Sequence, residues 1–181
     1  PHSPRGTDAD PTHREGLSTM PVTHVTHDLD ALTLTLVADF AAPVERIWEV
    51  YADPRKLERI WGPPQCPATF VDHDMTPGGR MNYYMTLPDG TRHHGYWEIV
   101  AVDAPHTFTY DDGFALDDTF AKNPDMPVNR TVNTFEAYEG GTRATYVGTY
   151  ASAEALQQVL SMGVVEGATA ALNQIDDLIA A

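Results

Sequence analysis

The chain has 181 residues, about one domain's worth, with 42% hydrophobic and 20% charged residues. Eleven Lys and Arg stand against 26 Asp and Glu, a formal charge of −15, which would repel nucleic acid and anionic membrane surfaces alike. One cysteine, Cys66, excludes an intrachain disulfide, and no apolar run approaches the ~18 residues of a membrane span. Composition thus points to an acidic, soluble, cytoplasmic domain.

Residues 1–19 are polar and rich in Pro and Gly, with Leu17 their only large aliphatic residue. They read as a tail that cannot form a core, either disordered or an extension upstream of Met20. The domain is therefore assigned to 20–181. Residues 29–40 alternate, with Leu32, Leu34 and Leu36 on one face, which is the pattern of a half-buried strand. Pro43 suits a helix start, and Val44, Ile47, Trp48 and Tyr51 recur at helical spacing. Asp53-Pro54 opens a second short helix carrying Leu57, Ile60 and Trp61, which Gly62-Pro63-Pro64 ends.

From residue 66 the period becomes two. Strands are expected at 66–75, 79–88, 91–103, 105–112, 128–138 and 142–150. Pro77-Gly78-Gly79, Asp89-Gly90 and Gly140-Gly141 supply the tight turns. An irregular insert, 113–127, separates the fifth and sixth strands of this run. Asp111, Asp112, Asp117, Asp118 and Asp125 crowd it, and it reads as a solvated acidic loop. If it has a function, the expectation is a lid over a pocket. Residues 152–180 read as one long helix capped by Ser152. Leu156, Leu160, Val164, Ala168, Ala171, Ile175 and Leu178 form its apolar stripe, interrupted by Gly163 and Gly167. Two glycines there suggest a close approach or space kept open beside the helix.

The expected architecture is α+β: a curved seven-stranded antiparallel sheet (β-α-α-β6-α) wrapped around a long C-terminal helix. One helix about 40 Å long (~1.5 Å per residue) cannot fill the concave face, so a cavity is expected between them. The stretches FAAPVERIWEVYADPRKLERIWGP (40–63), TPGGRMNYYMTLPDG (76–90), HGYWEIVAVDAP (94–105), GGTRATY (140–146) and MGVVEG (162–167) then carry a resemblance. In this order they resemble the START-related helix-grip (SRPBCC, Bet v 1-like) superfamily, in the branch of the activator of Hsp90 ATPase homologues. The resemblance covers about 29–180 and implies the helix-grip fold. That superfamily includes ligand carriers, aromatase/cyclases and co-chaperone domains, so it implies no catalytic residue. Hsp90-type chaperone binding is not expected, because a full activator has a further N-terminal domain.

Alternation gives the expected cavity wall. Met81, Tyr83 and Met85 share one face of 79–88, and Phe108 and Tyr110 point together. Tyr146 lies on 142–150, and Phe135 inward brings Asn133 inward on 128–138. On 91–103, Trp97 shares a face with His93, and a bulge would exchange His93 for His94. The helix contributes Leu156, Leu160, Gly163, Val164 and Gly167. Asn133 is a polar group on an apolar wall and needs a partner: a tyrosine hydroxyl, a water or a ligand. Trp48 and Trp61 are expected to pack under the sheet edge. His24 and His27 diverge on a strand, and no zinc spacing, HExxH, GxSxG or dinucleotide fingerprint occurs. Neither a metal nor a cofactor is expected, and no catalytic residue is assigned. Cys66 reads as a buried or rim thiol, and a homodimer stays open.

The expected function is binding of a small apolar or aromatic molecule, as carrier or sensor. The alternatives are an enzyme of cyclase, dehydratase or hydrolase kind using polar cavity residues, and a co-chaperone-like interaction module.

Overall fold

The computed structural model describes residues 21–180; the tail assigned to 1–19 lies outside them. Eight strands form one antiparallel sheet: β1 (Val22–Asp28), β2 (Thr33–Phe40), β3 (Ala68–Phe70), β4 (Arg80–Thr86), β5 (Arg92–Asp103), β6 (Thr107–Phe114), β7 (Asn129–Tyr138) and β8 (Gly141–Tyr150). Their spatial order is β1-β2-β8-β7-β6-β5-β4-β3. Between β2 and β3 run two short helices, α1 (Val44–Ala52) and α2 (Pro54–Ile60), which carry the chain across the concave face from one side of the sheet to the other.

The sheet is thus the helix-grip arrangement with one strand more than the expected seven. β1 is an edge strand exposed along nearly its whole length, so no apolar alternation marks it. Residues 29–32, expected as the start of a strand, form the turn between β1 and β2, with Leu32 at φ 61°.

The C-terminal helix is two helices, α3 (Ala153–Ser161) and α4 (Val164–Ala180). Ser152 caps α3, its hydroxyl accepting from the Ala155 N–H at 3.1 Å. Gly163 then adopts φ +84°, a left-handed conformation that breaks the helix and that only glycine takes without strain. The break changes which residues face the sheet: Val159 turns toward the interior beside Val164, Met162 sits exposed at the edge, and Leu160 is only half-buried against the core. The α4 end is tied to α2: the Gln174 amide donates to the carbonyls of Ile60 (3.2 Å) and Gly62 (2.7 Å).

The inner face packs solidly at the α1 end. Trp48 meets Phe108 edge-on at 5.6 Å and Phe135 at 6.1 Å, and Tyr51 stacks on Phe135 at 5.5 Å. The insert after β6 takes the other face. It forms a small hairpin closed by the Ala115–Lys122 bridge, and Phe120 packs with Tyr96 there. Arg80 Nη2 donates to the Phe120 carbonyl at 3.2 Å. The middle of the expected lid is therefore a cover on the convex side, whereas its ends meet the cavity side, Phe114 at the wall and Met126 accepting from the Gln158 amide of α3 at 3.9 Å; Asp117, Asp118 and Asp125 are exposed. Asp111 and Asp112 belong to β6, not to the insert.

Candidate cavity between sheet and helix

Away from α1 the concave face is not filled. A cavity of about 360 Å³ lies between β2, β4, β6, β7 and β8 on one side and α3–α4 on the other, within the range that holds small organic molecules. Its walls follow from strand alternation. β2 sends in Leu34 and Leu36, β6 sends Tyr110 and Asp112, and β7 sends Asn129, Thr131 and Asn133. Space is kept by glycines on both sides. A Cβ on Gly167 of α4 would meet nothing within 4 Å, and one on Gly148 of β8 would meet the Asn129 amide at 3.1 Å. The rim carries apolar side chains in contact with solvent, Phe114 (36% exposed) and Met162 (53%).

Of the expected lining residues, the structure places Tyr83, Met85, Tyr110, Asn133, Tyr146, Gly163, Val164 and Gly167 around the cavity. The other seven lie elsewhere. Phe108 and Phe135 are covered by Trp48 and Tyr51. Trp97 stacks beneath Tyr110 at 4.2 Å and meets Trp61 edge-on at 4.7 Å, so it forms the layer under the wall. Met81 and Leu156 are fully buried core residues, and the helix break turns Leu160 aside. His93 pairs with Met85 and has the inward parity, but it is exposed at the start of β5. The bulge in β5 falls between Ile99 and Ala101, so it leaves His93 and His94 unexchanged. His94 is half-buried on the convex face beside Phe120.

Of the lining groups that were not expected, three carry polar atoms that matter to the chemistry. Trp61 passes from α2 onto the cavity wall, 5.8 Å edge-on from Tyr83. Tyr51 reaches it from α1 and donates its hydroxyl to that of Tyr146 at 2.8 Å, which leaves the Tyr146 proton without a use in that bond. Asp112 is the third. It follows Phe108 and Tyr110 in the same alternation, and that signal was present in the sequence.

The wall is polar along one line. Asp112 pairs across the ladder with Asn129, Tyr110 with Thr131, and Phe108 with Asn133. The Asn129 amide nitrogen donates to the Thr131 hydroxyl at 2.6 Å. Asn133 is fully buried, and neither end of its amide has a hydrogen-bond partner; it lies near the Tyr110 hydroxyl without the alignment of a bond. The Trp61 indole N–H is likewise buried without an acceptor. Such groups cost free energy unless something in the cavity meets them.

Burial pushes the hydroxyl pKa values of Tyr83, Tyr110 and Tyr146 well above 10, so all three stay protonated. Burial also raises the Asp112 carboxyl from 3.8 to about 7. Its side chain is half-buried by area because it faces the cavity, yet its carboxyl is deeply enclosed. Among the described residues it has neither a hydrogen bond nor an ion pair. Tyr83 carries its ring over Gly95 of β5, where a Cβ would come within 2.6 Å of the ring carbon bearing the hydroxyl. The wall position of that tyrosine thus depends on a residue behind it.

No cluster of three or more potential metal-ligating side chains occurs among the described residues. No helix there is long and apolar enough to cross a membrane.

A curved antiparallel sheet gripping C-terminal helices around an open cavity defines a helix-grip protein of the Bet v 1-like superfamily. Within it, the chain belongs to the family described as "Activator of Hsp90 ATPase homolog 1-like protein", which matches residues 41–180. This fold family is known for ligand-binding cavities. The chain is similar to protein Ms6760 from Mycobacterium smegmatis, with 67% identity over 87% of this chain and 96% of that one and a TM-score of 0.81. It is also similar to a protein from Arthrobacter aurescens, with 43% identity over 86% and 90% of the two chains and a TM-score of 0.82. A protein from Staphylococcus epidermidis shares 27% identity over 86% and 93%, with a TM-score of 0.75. No curated protein matches the chain.

Proposed function

We propose that this protein binds one small, largely apolar or aromatic molecule in the cavity between sheet and helices, as a carrier or sensor. The observation that carries the reading is the opposition of Gly148 and Gly167 across a space walled by Leu34, Leu36 and the tyrosines. A helix-interior glycine costs about 1 kcal/mol against alanine, and Gly167 has no neighbour that requires it. Volume kept open at that cost fits an occupant. A co-chaperone-like module would instead be expected to close its interior. The ligand-contact roles proposed for Tyr83, Met85, Tyr110, Asn133, Tyr146, Val164 and the two helix glycines follow from this reading, with Tyr51, Trp61 and Asp112 added.

The test is native mass spectrometry of protein purified from its host, then organic extraction. One co-purifying apolar molecule per chain, lost in Val164→Trp, is expected. An identical empty mass for both proteins, with no ligand retained after incubation with host lipid extract, overturns the reading.

A second reading, an enzyme of the cyclase, dehydratase or hydrolase kind, is favoured by Asp112, whose carboxyl near 7 could take or give a proton in an apolar site. Incubating the protein with its extracted ligand separates the two. Unchanged ligand mass and retention fit a carrier. Loss of water or isomerisation, abolished in Asp112→Asn, fits the enzyme.

A further inference from the structure

The chemistry of the polar end of the cavity narrows the ligand class, resting on the binding role proposed above. We infer that the ligand is an apolar molecule carrying one protonated amine, seated with its ammonium at Asp112.

Asp112 is the one acidic side chain on the cavity wall, and no Lys, Arg or His lines the cavity among the described residues. Once ionised, this carboxylate has no counter-charge on the wall. A buried carboxylate is well settled only when a cation or several donors meet it. The uncharged groups around it can donate or accept, and they can accept from a cation as well. The Asn129 amide gives one of its two N–H groups to Thr131, and its carbonyl oxygen is free to accept, directly across the ladder from Asp112. An ammonium brings three donors and no acceptor, which matches a carboxylate beside an amide oxygen and phenol oxygens. A ligand carboxylate or phosphate would find a like charge and no cation.

The neighbouring titratable groups do not compete. Tyr83 on β4, Tyr110 on β6 and Tyr150 on β8 all stay neutral, their pKa values raised by burial and by the carboxylate itself. The helical side opposite supplies Val159, Met162, Gly163 and Val164, without charge. The chain's formal charge of −15 favours the approach of a cation over an anion.

The test uses three probes of one shape: 4-phenylbutylamine, 4-phenylbutanol and 4-phenylbutanoate, titrated by calorimetry at pH 8 and in 0.3 M salt. The amine should bind at least about tenfold tighter than the alcohol, and the carboxylate weakest, as a charge-assisted contact in an enclosed site would give. In Asp112→Asn the amine and alcohol should come within about twofold, with alcohol binding retained. At pH 5.5 the wild-type preference should shrink toward that of the variant, because the carboxyl is then protonated. Alcohol binding with no amine preference, a preference for the carboxylate, or an amine preference that survives in Asp112→Asn overturns this inference and leaves the cavity reading standing. Failure of all three probes to bind overturns both.

Discussion

The two halves of the concave face are built from the same strands and end differently. At the α1 end, Phe108 and Phe135 are covered by Trp48 and Tyr51, and nothing is left open. A few residues along the same strands, Tyr110, Asp112, Thr131 and Gly148 face a space that α3–α4 does not fill. Large side chains meet large side chains in the first half. In the second, glycine stands on both sides of the gap, and Asp112, Asn129 and Thr131 stand among the aromatic rings. The difference teaches that the open half is not a packing failure of a marginal domain, since the adjoining half holds a dense aromatic core.

The comparison can be broken from the closed side first. Phe135→Ala should cost about 3–5 kcal/mol of stability, as truncation of a fully buried aromatic does, read by urea unfolding. An equal truncation that cost under 1 kcal/mol would mean the α1 end is as loose as the cavity.

Asp112→Asn sharpens the open side. The folded chain holds the Asp112 proton between about pH 4 and 7, where the unfolded chain has lost it. The folded state binds more protons, so stability falls as pH rises through that window and levels off above it. The rise from 3.8 to about 7 sets a ceiling of about 4 kcal/mol. Water entering an open cavity should screen this to roughly half. The variant should therefore be more stable than wild type at pH 8 by about 2 kcal/mol, with the gap closing by pH 4. A gap that does not change with pH would place the carboxyl in solvent.

Tyr146→Phe takes the acceptor from the buried Tyr51 hydroxyl and should cost about 1 kcal/mol. The smallest effect is a gain. Gly167→Ala adds a methyl where nothing lies within 4 Å and should raise stability by up to about 1 kcal/mol. A loss instead would show that the helix needs that glycine for packing.

Much of this was legible in the sequence, and the gaps have physical causes. The alternation in 105–112, 128–138 and 142–150 placed Tyr110, Asn133 and Tyr146 on the concave face, because a half-buried strand writes its facing into every second residue. It was silent on β1, whose residues from Thr23 onward are exposed, so no contrast between faces exists to be read. His93 has the right parity and the wrong depth: parity names a face, whereas burial depends on where the covering layer stops. Trp97, Phe108 and Met81 failed as lining residues for the converse reason, lying inward but beneath other side chains. Periodicity alone runs the helix stripe through Leu160, because a left-handed φ at Gly163 cannot be seen in it. Composition groups Asp112 with its acidic neighbours, although the count of two from Tyr110 points it inward.

Gly95 has a consequence of another kind. It does not line the cavity, yet the Tyr83 ring rests on its bare backbone. A methyl at position 95 would press that ring forward into the cavity. A lineage could therefore reshape the cavity by drift at a site outside its wall. Comparison of wall residues between relatives would miss the change.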